Sequence, residues 1–112
     1  MIRTVPLDAP HEVIIKTWLE NLRDPENKQG KRALKLSDGS MCCLGVLCAT
    51  VGVEPHGGNL IEYRSIREAA HIDSNGSYDE ESLTYDNDHG KTFAEIADLI
   101  ESRPSGLFKE PV

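Results

Sequence analysis

The segment from Gly45 to Val51 constrains the fold of this chain more than any other part of the sequence. It consists of small and aliphatic residues without charge, and it is followed by Gly52 and then Pro55. Glycine and proline at these positions are typical of a helix C-terminus, so the segment predicts a short helix. Because this helix is apolar on nearly every side, we expect it to be buried.

A β-hairpin is predicted directly before this helix. Asp38-Gly39 separates two short β-prone runs, and Asp-Gly in that position is a strong signal for a two-residue turn. The turn sets a register in which Leu36 faces Met41. Because side chains alternate along a strand, the core face of the hairpin then holds Leu34, Leu36, Met41 and Cys43.

The same register predicts different environments for the three cysteines. Cys43 lies on the core face and Cys48 in the apolar helix, whereas Cys42 lies on the opposite face beside Lys35. We therefore expect Cys42 to be the accessible thiol. An odd number of cysteines argues against a disulfide framework, and the sequence lacks the second ligand pair of a zinc site.

Helices are predicted on both sides of this central part. The first follows Asp8 as its cap and Pro10 in its first turn, and it ends before Pro25. The last begins with the capping-box pair Thr92 and Glu95. A short helix is predicted at about residues 65–71, and residues 60–63 and 83–85 are candidate strands. The apolar face of the first helix holds Ile14, Ile15, Trp18, Leu19 and Leu22.

These elements predict an α+β fold. A small antiparallel sheet built on the hairpin, at about residues 32–44, is packed by three to four helices. The chain has 112 residues, which suits one domain, and we assign residues 1–104 to that domain and residues 105–112 to a C-terminal tail.

Charge is distributed unevenly along the chain. Residues 1–67 contain nine Lys and Arg against eight Asp and Glu, whereas residues 68–112 contain three against eleven. A protein with so little basic surface is not expected to bind duplex nucleic acid. The one basic cluster, which could hold a small anion or consist of solvated loop charges, comprises Lys28, Lys31, Arg32 and Lys35.

No catalytic constellation is found in the sequence. The acidic loop at residues 73–78 has Tyr78 where a calcium loop requires glycine, the loop at residues 86–90 is too short, and both lack the closing carboxylate, so they predict Asx-type turns instead. Gly30-Lys31-Arg32 lacks the context of a phosphate loop. No histidine is placed by its surroundings beside a thiol. We therefore expect no enzyme activity, no cofactor and no metal.

The sequence also contains no apolar run long enough to cross a membrane, and its N-terminus lacks the hydrophobic stretch of a signal peptide. We expect a cytoplasmic protein without a membrane partner. Only six residues are aromatic, and an apolar helix lies in a small domain, so a homo-oligomer that completes the core between subunits is a further expectation.

Several motifs together resemble a largely uncharacterised family of small bacteriophage and prophage proteins. The resemblance implies a viral origin and therefore a host cytoplasm as the location. It does not imply a reaction. The residues that carry it are Trp18-x3-Leu22, Gln29-Gly30, the block Cys42-Cys43-Leu44-Gly45-Val46-Leu47-Cys48 and the run Asn87-Asp88-x-Gly90-x2-Phe93-Ala94-Glu95-Ile96-Ala97 with its continuation to Glu101.

Two binding functions fit these expectations. In the first, a phage accessory protein sequesters a phosphate-bearing signalling nucleotide of host defence without changing it. The base stacks on Trp18 or a tyrosine, and the phosphates are held by Lys28, Lys31, Arg32 and Lys35. In the alternative, the acidic surface of residues 68–101 blocks a host protein that binds nucleic acid or serves in defence.

Overall fold

The apolar helix predicted from residues 45–51 lies at the centre of the molecule. The computed structural model describes residues 2–109 and contains five helices and a two-stranded antiparallel sheet. These confirm the α+β class. The elements are α1 (His11–Arg23), α2 (Cys43–Thr50), α3 (Arg64–Ala70), β1 (Ser77–Tyr78), β2 (Glu81–Ser82), α4 (Leu83–Asp88) and α5 (Phe93–Glu101).

Helix α2 is surrounded by the rest of the chain. It packs against α1 on one side and α4 on another, and α1 also contacts α3 and α5. All residues of α2 are buried except Ala49, which is half-buried. The apolar surface of α2 is therefore covered within one chain and does not require a second subunit.

Gly45 allows α2 to lie close to the segment that precedes it. A Cβ at this position would stand 1.8 Å from the carbonyl oxygen of Leu34. Trp18 crosses the same region from α1, and its indole Nε1 donates a hydrogen bond of 2.9 Å to the carbonyl of Cys43. The start of α2 is thus fixed on two sides by backbone contacts.

The sheet does not lie where the hairpin was predicted. Its strands pair Tyr78 with Glu81 across a two-residue turn, and residues 32–44 form only isolated bridges. The predicted register at Asp38-Gly39 is wrong by one residue, because Lys35 and not Leu36 pairs with Met41.

The physical reason is the side chain of Asp38. Its carboxylate accepts hydrogen bonds from the backbone N–H of Ser40 at 2.9 Å and from the Ser40 hydroxyl at 2.6 Å. This Asx turn makes the loop longer than the two-residue turn predicted from Asp-Gly. Met41 also bridges to Gln29 on its other side, and Leu36 is 39% exposed, whereas it was expected in the core.

The four predicted helices are confirmed with corrections to two of their starts, and neither candidate strand is present. Pro10 and not Asp8 is the residue that precedes α1, and α2 begins at Cys43, inside the predicted second strand. Residues 83–85, a candidate strand, begin α4 because the Ser82 hydroxyl accepts from the backbone N–H of Tyr85. Residues 60–63 form a turn.

The capping box of α5 is present as predicted. The Thr92 hydroxyl accepts from the Glu95 N–H at 3.2 Å, and the Glu95 carboxylate accepts from the Thr92 N–H at 3.0 Å. Part of the predicted C-terminal tail is built into the core, because Leu107 is fully buried and Phe108 packs beside it. The end of that tail, residues 110–112, lies outside the described residues. Among the residues that are described, no helix is long and apolar enough to cross a membrane.

The C-terminal segment covers a pair of histidines. The rings of His11 and His71 stack with centroids 3.9 Å apart and planes 8° apart, and the Phe108 ring meets His11 edge-on at 5.3 Å. The guanidinium of Arg103 lies over Phe108 and is paired with Glu12. The His11 ring is therefore packed against two other rings and is partly withdrawn from water.

We expect this arrangement to make the protein less stable in mild acid. Burial lowers the pKa of His11 below its ordinary value, with smaller effects from the Ala69 carbonyl and Glu12, which raise it, and from His71 and Arg103, which lower it. A lowered folded-state pKa contributes stability that is present above pH 6.5, the ordinary value, and is lost as the pH falls below it. The urea concentration at the midpoint of unfolding should therefore decrease when the pH is lowered from 7.5 to 5.5.

The control is His11→Gln, which cannot titrate. Its absolute stability changes because the ring stack is lost, so the quantity to compare is the slope of stability against pH. The slope should be shallower in His11→Gln than in the wild-type chain. Equal slopes in the two proteins would show that His11 does not contribute to acid sensitivity.

Candidate functional site

The predicted basic cluster lies on the loop between α1 and α2. Lys28, Lys31 and Arg32 are exposed, and none of them forms an ion pair with another described residue. The loop is anchored through its backbone: the carbonyl of Lys28 accepts from Met41, and the N–H of Arg32 donates to the Asp88 carboxylate at 2.8 Å. Three of the four predicted cations are therefore presented to solvent.

Lys35, the fourth cation, is engaged elsewhere. Its ammonium forms a 2.7 Å ion pair with the carboxylate of Glu54. Both side chains are partly or largely exposed, so the pair is weak and adds little to stability. It nevertheless places a negative charge beside Lys35 and reduces the positive potential that the cluster could present to an anion.

Trp18 was expected to offer a stacking surface, and this expectation is wrong. The indole is fully buried between α1 and α2 and is held by its hydrogen bond to Cys43. Gly30 is also buried, and a Cβ there would stand 2.8 Å from the Ser40 hydroxyl. The space beside Gly30 is filled by the protein itself and is not open to a ligand.

The motif residues Gln29 and Asn87 form one polar network, in which Asn87 is fully buried and Gln29 is half-buried. The Gln29 amide nitrogen donates to the Asn87 side-chain oxygen at 2.9 Å and to the Lys91 carbonyl at 2.8 Å. Its oxygen accepts from the backbone N–H of Phe93, the first residue of α5. Asn87 in turn accepts from the N–H of Cys43 and donates to the Gly30 carbonyl. These residues fix the starts of α2 and α5, which is a structural role.

The cysteines offer no reactive thiol. All three are buried, with Cys42 only 2% exposed, so the expectation that Cys42 would be accessible is wrong. Burial raises the pKa of each thiol, to about 12 for Cys48. The one-residue change in the hairpin register turns Cys42 inward. Within the described part of the chain, no three His, Cys, Asp or Glu side chains are grouped closely enough to hold a metal ion.

A groove that the sequence did not predict runs beside α4. Two adjoining surface depressions, of about 430 and 300 Å³, share Tyr85 as a lining residue. The first is lined by Glu80, Glu81, Ser82 and Tyr85, and the second by Tyr85, Asp86, His89, Gly90, Lys91 and Glu95. We call this surface the Tyr85 groove. It contains four carboxylates and one lysine, so its charge is predominantly negative.

Tyr85 is an exposed aromatic residue in a fixed orientation. Its side chain is 53% exposed, and its ring stacks on that of His89, one helical turn later, with centroids 3.9 Å apart and planes 16° apart. The His89 Nδ1 lies 2.9 Å from the Tyr85 carbonyl, which can only accept, so Nδ1 carries the proton. The sequence contains this i, i+4 pair, but it is recognised only when residues 83–88 are assigned to a helix.

Two carboxylates of the groove are also held in place. Asp86 is mostly buried and accepts a hydrogen bond from the Tyr78 hydroxyl. Burial and this carboxylate raise the pKa of Tyr78, so its phenol remains protonated and continues to donate. The hydrogen bond from the Thr92 N–H lowers the pKa of Glu95 below its ordinary value. Glu95 is therefore ionised at neutral pH.

The comparisons with known proteins bear on the first half of the chain. The model of a domain of unknown function, DUF8296, matches residues 11–57. The matched residues run from the start of α1 past the end of α2 and include the basic cluster, but they end before the Tyr85 groove. No curated protein and no solved structure matches this chain.

Proposed function

We propose that this protein binds a basic segment of a partner protein in the Tyr85 groove and performs no chemistry on it. The observation that carries the proposal is the position of Tyr85, a half-exposed aromatic side chain at the meeting point of two acid-lined depressions. Tyrosine is enriched among the residues that dominate binding energy at protein interfaces. The surrounding carboxylates supply charge complementarity to lysine and arginine.

The charge distribution of the whole chain supports the same partner class. Residues 68–112, which contain the groove, hold eleven of the nineteen acidic residues and only three of the twelve basic ones. A field of this sign accelerates encounter with a positively charged surface and repels nucleic acid. Proteins that bind nucleic acid themselves carry basic surfaces of this kind, so they belong to the class of partner that the charge favours.

The resemblance to phage proteins extends this proposal to a biological setting. In an infected cell the partner is a host protein with a basic surface, such as one that binds nucleic acid or serves in defence. The chain would act in the host cytoplasm by occupying that surface. Its activity is then competition and not catalysis.

The proposal is tested by fluorescence anisotropy with a labelled peptide of four Lys-Arg repeats. The groove variant is the double substitution Glu80→Lys, Glu81→Lys. The control is Asp8→Lys, Glu62→Lys, which makes the same change in net charge at exposed positions outside the groove. We expect the groove variant to lose at least tenfold in affinity and the control to lose less than threefold at 0.15 M salt.

Two results would contradict the proposal. Equal losses in the two double variants would show that the peptide responds only to net charge. A wild-type chain that does not bind the peptide would show that the groove is not a basic-segment site. Circular dichroism of each variant establishes that it is folded before binding is measured.

A phosphate-bearing signalling nucleotide is a second candidate ligand. The observation in its favour is that Lys28, Lys31 and Arg32 are exposed on one loop with no ion pair among the described residues. Because Trp18 is buried, it cannot stack on a base, so in this hypothesis a tyrosine would stack on the base and the three cations would hold the phosphates.

Calorimetry with a panel of signalling nucleotides tests this second function. If it is correct, one ligand binds and is released intact on denaturation, and the folded double variant Lys31→Glu, Arg32→Glu loses it. The panel should bind equally well to the Glu80→Lys, Glu81→Lys protein. Undiminished affinity in the Lys31→Glu, Arg32→Glu variant would contradict nucleotide binding at this loop.

A further inference from the structure

The Tyr85 groove contains the features that distinguish arginine from lysine. The His89 ring covers one face of Tyr85, so the exposed half of the tyrosine belongs to its other face and its edge. The ring is held by its stack on His89, and His89 is held by its hydrogen bond to the Tyr85 carbonyl. A planar group that approaches this ring meets a surface with a fixed orientation.

The carboxylates around the ring are arranged for a ligand with several donors. Glu80 and Glu81 line the first of the two depressions that share Tyr85, and Asp86 and Glu95 line the second. Asp86 uses one carboxylate oxygen to accept from Tyr78, and Glu95 uses one to accept from the N–H of Thr92. Each of these two carboxylates is fixed by one oxygen and has a second oxygen for another donor.

The chemistry of the two basic side chains differs at such a site. The guanidinium of arginine is planar, stacks on aromatic faces and carries five N–H donors in a rigid fork. The ammonium of lysine is a compact, strongly hydrated point charge that gains less from an exposed ring. Both gain equally from the net negative charge of the groove, so a preference must come from the ring and from the fixed carboxylates.

We propose that the Tyr85 groove selects arginine over lysine, with the guanidinium stacked on the open face of Tyr85 and donating to carboxylates that line the groove. This inference rests on the proposed binding of a basic segment and specifies the side chain that is recognised. His89 is a positioning residue, because it acts on the ligand through the Tyr85 ring.

Two seven-residue peptides test the selectivity. Both have the pattern Gly-X-Gly-X-Gly-X-Gly with blocked ends, and X is arginine in one and lysine in the other. Their charges and lengths are identical. We expect calorimetry to show that the wild-type chain binds the arginine peptide about three- to fivefold more tightly, which is the upper part of the range expected when a cation stacks on an exposed ring.

Three single variants show which side chain carries the preference. Tyr85→Ala should reduce the ratio of the two affinities to below twofold, whereas Tyr85→Phe should keep it because the ring remains. His89→Gln should also lower the ratio, because Tyr85 then loses the ring on which it stacks. A Tyr85→Ala protein that still prefers arginine by threefold would overturn the assignment to this ring.

Failure of the selectivity and failure of the proposed function give different results. If wild type binds both peptides equally and Glu80→Lys, Glu81→Lys abolishes binding of both, the groove binds basic segments and the arginine preference is refuted. If wild type binds neither peptide, both proposals are refuted. Circular dichroism and an unchanged urea midpoint establish that each variant is folded.

Discussion

Asn87→Ala is expected to remove about 2–6 kcal/mol of the free energy of unfolding, because it leaves two buried backbone groups without partners. The Asn87 side chain accepts from the N–H of Cys43 at 3.2 Å and donates to the Gly30 carbonyl at 2.8 Å. Each orphaned group costs roughly 1–3 kcal/mol when water cannot reach it. Domains of this kind have about 5–15 kcal/mol in total, so the loss is a large fraction of the stability.

A matched control is Asn59→Ala. The Asn59 side chain accepts one hydrogen bond, from the N–H of Ile61, in an exposed turn that water can reach. Its removal should cost below about 1 kcal/mol because water replaces the lost partner. Urea unfolding followed by circular dichroism compares the two variants. Similar midpoints for both would show that the Asn87 network does not stabilise the fold.

Four of the five helices in the described residues could be predicted from the sequence, because their signals are local. The face of α1 appears as apolar residues at helical spacing, and the start of α5 appears as Thr92 and Glu95 at capping-box spacing. Helix α2 is apolar on nearly every side, which predicts burial without any knowledge of its neighbours. Each of these interactions joins residues within a few positions of one another, so no tertiary information is needed.

The hairpin and the groove could not be predicted in the same way. The register at Asp38-Gly39 depends on a side-chain hydrogen bond from Ser40 and on the bridge to Gln29, a contact across twelve positions. Propensity alone favours the shorter turn. Tyr85 and His89 were missed because the β-prone residues Leu83, Thr84 and Tyr85 suggested a strand, whereas the Ser82 cap makes them a helix.

The basic cluster shows why a charge pattern does not define a site. The four cations, Lys28, Lys31, Arg32 and Lys35, lie within eight residues of sequence. The residues that surround them in the fold could not be predicted from the sequence. The structure pairs Lys35 with Glu54, buries Trp18 and fills the space beside Gly30. A ligand site needs a concave surface and a fixed polar group together, and these features meet at Tyr85.

Gly45→Ala is expected to cost about 3 kcal/mol or more, although alanine is the better helix former by about 1 kcal/mol in an open helix. The added methyl group would stand 1.8 Å from the Leu34 carbonyl oxygen. Leu34 is fully buried, its N–H donates to the Gly57 carbonyl, and its carbonyl accepts from Cys42, so the segment cannot withdraw without breaking these bonds. Helix α2 must move instead, and Trp18 then loses its hydrogen bond to Cys43.

Gly58→Ala is the matched control, because nothing lies within 4 Å of the position of its Cβ and its φ is not in the left-handed region. It should be neutral or raise stability by up to about 1 kcal/mol, since alanine restricts the unfolded chain. Gly45→Ala tests close packing and Gly58→Ala tests the entropy of the unfolded chain. The difference between their changes in the free energy of unfolding therefore distinguishes the two effects. Urea unfolding followed by Trp18 fluorescence measures both effects. A Gly45→Ala protein as stable as Gly58→Ala would mean that α2 does not lie against Leu34.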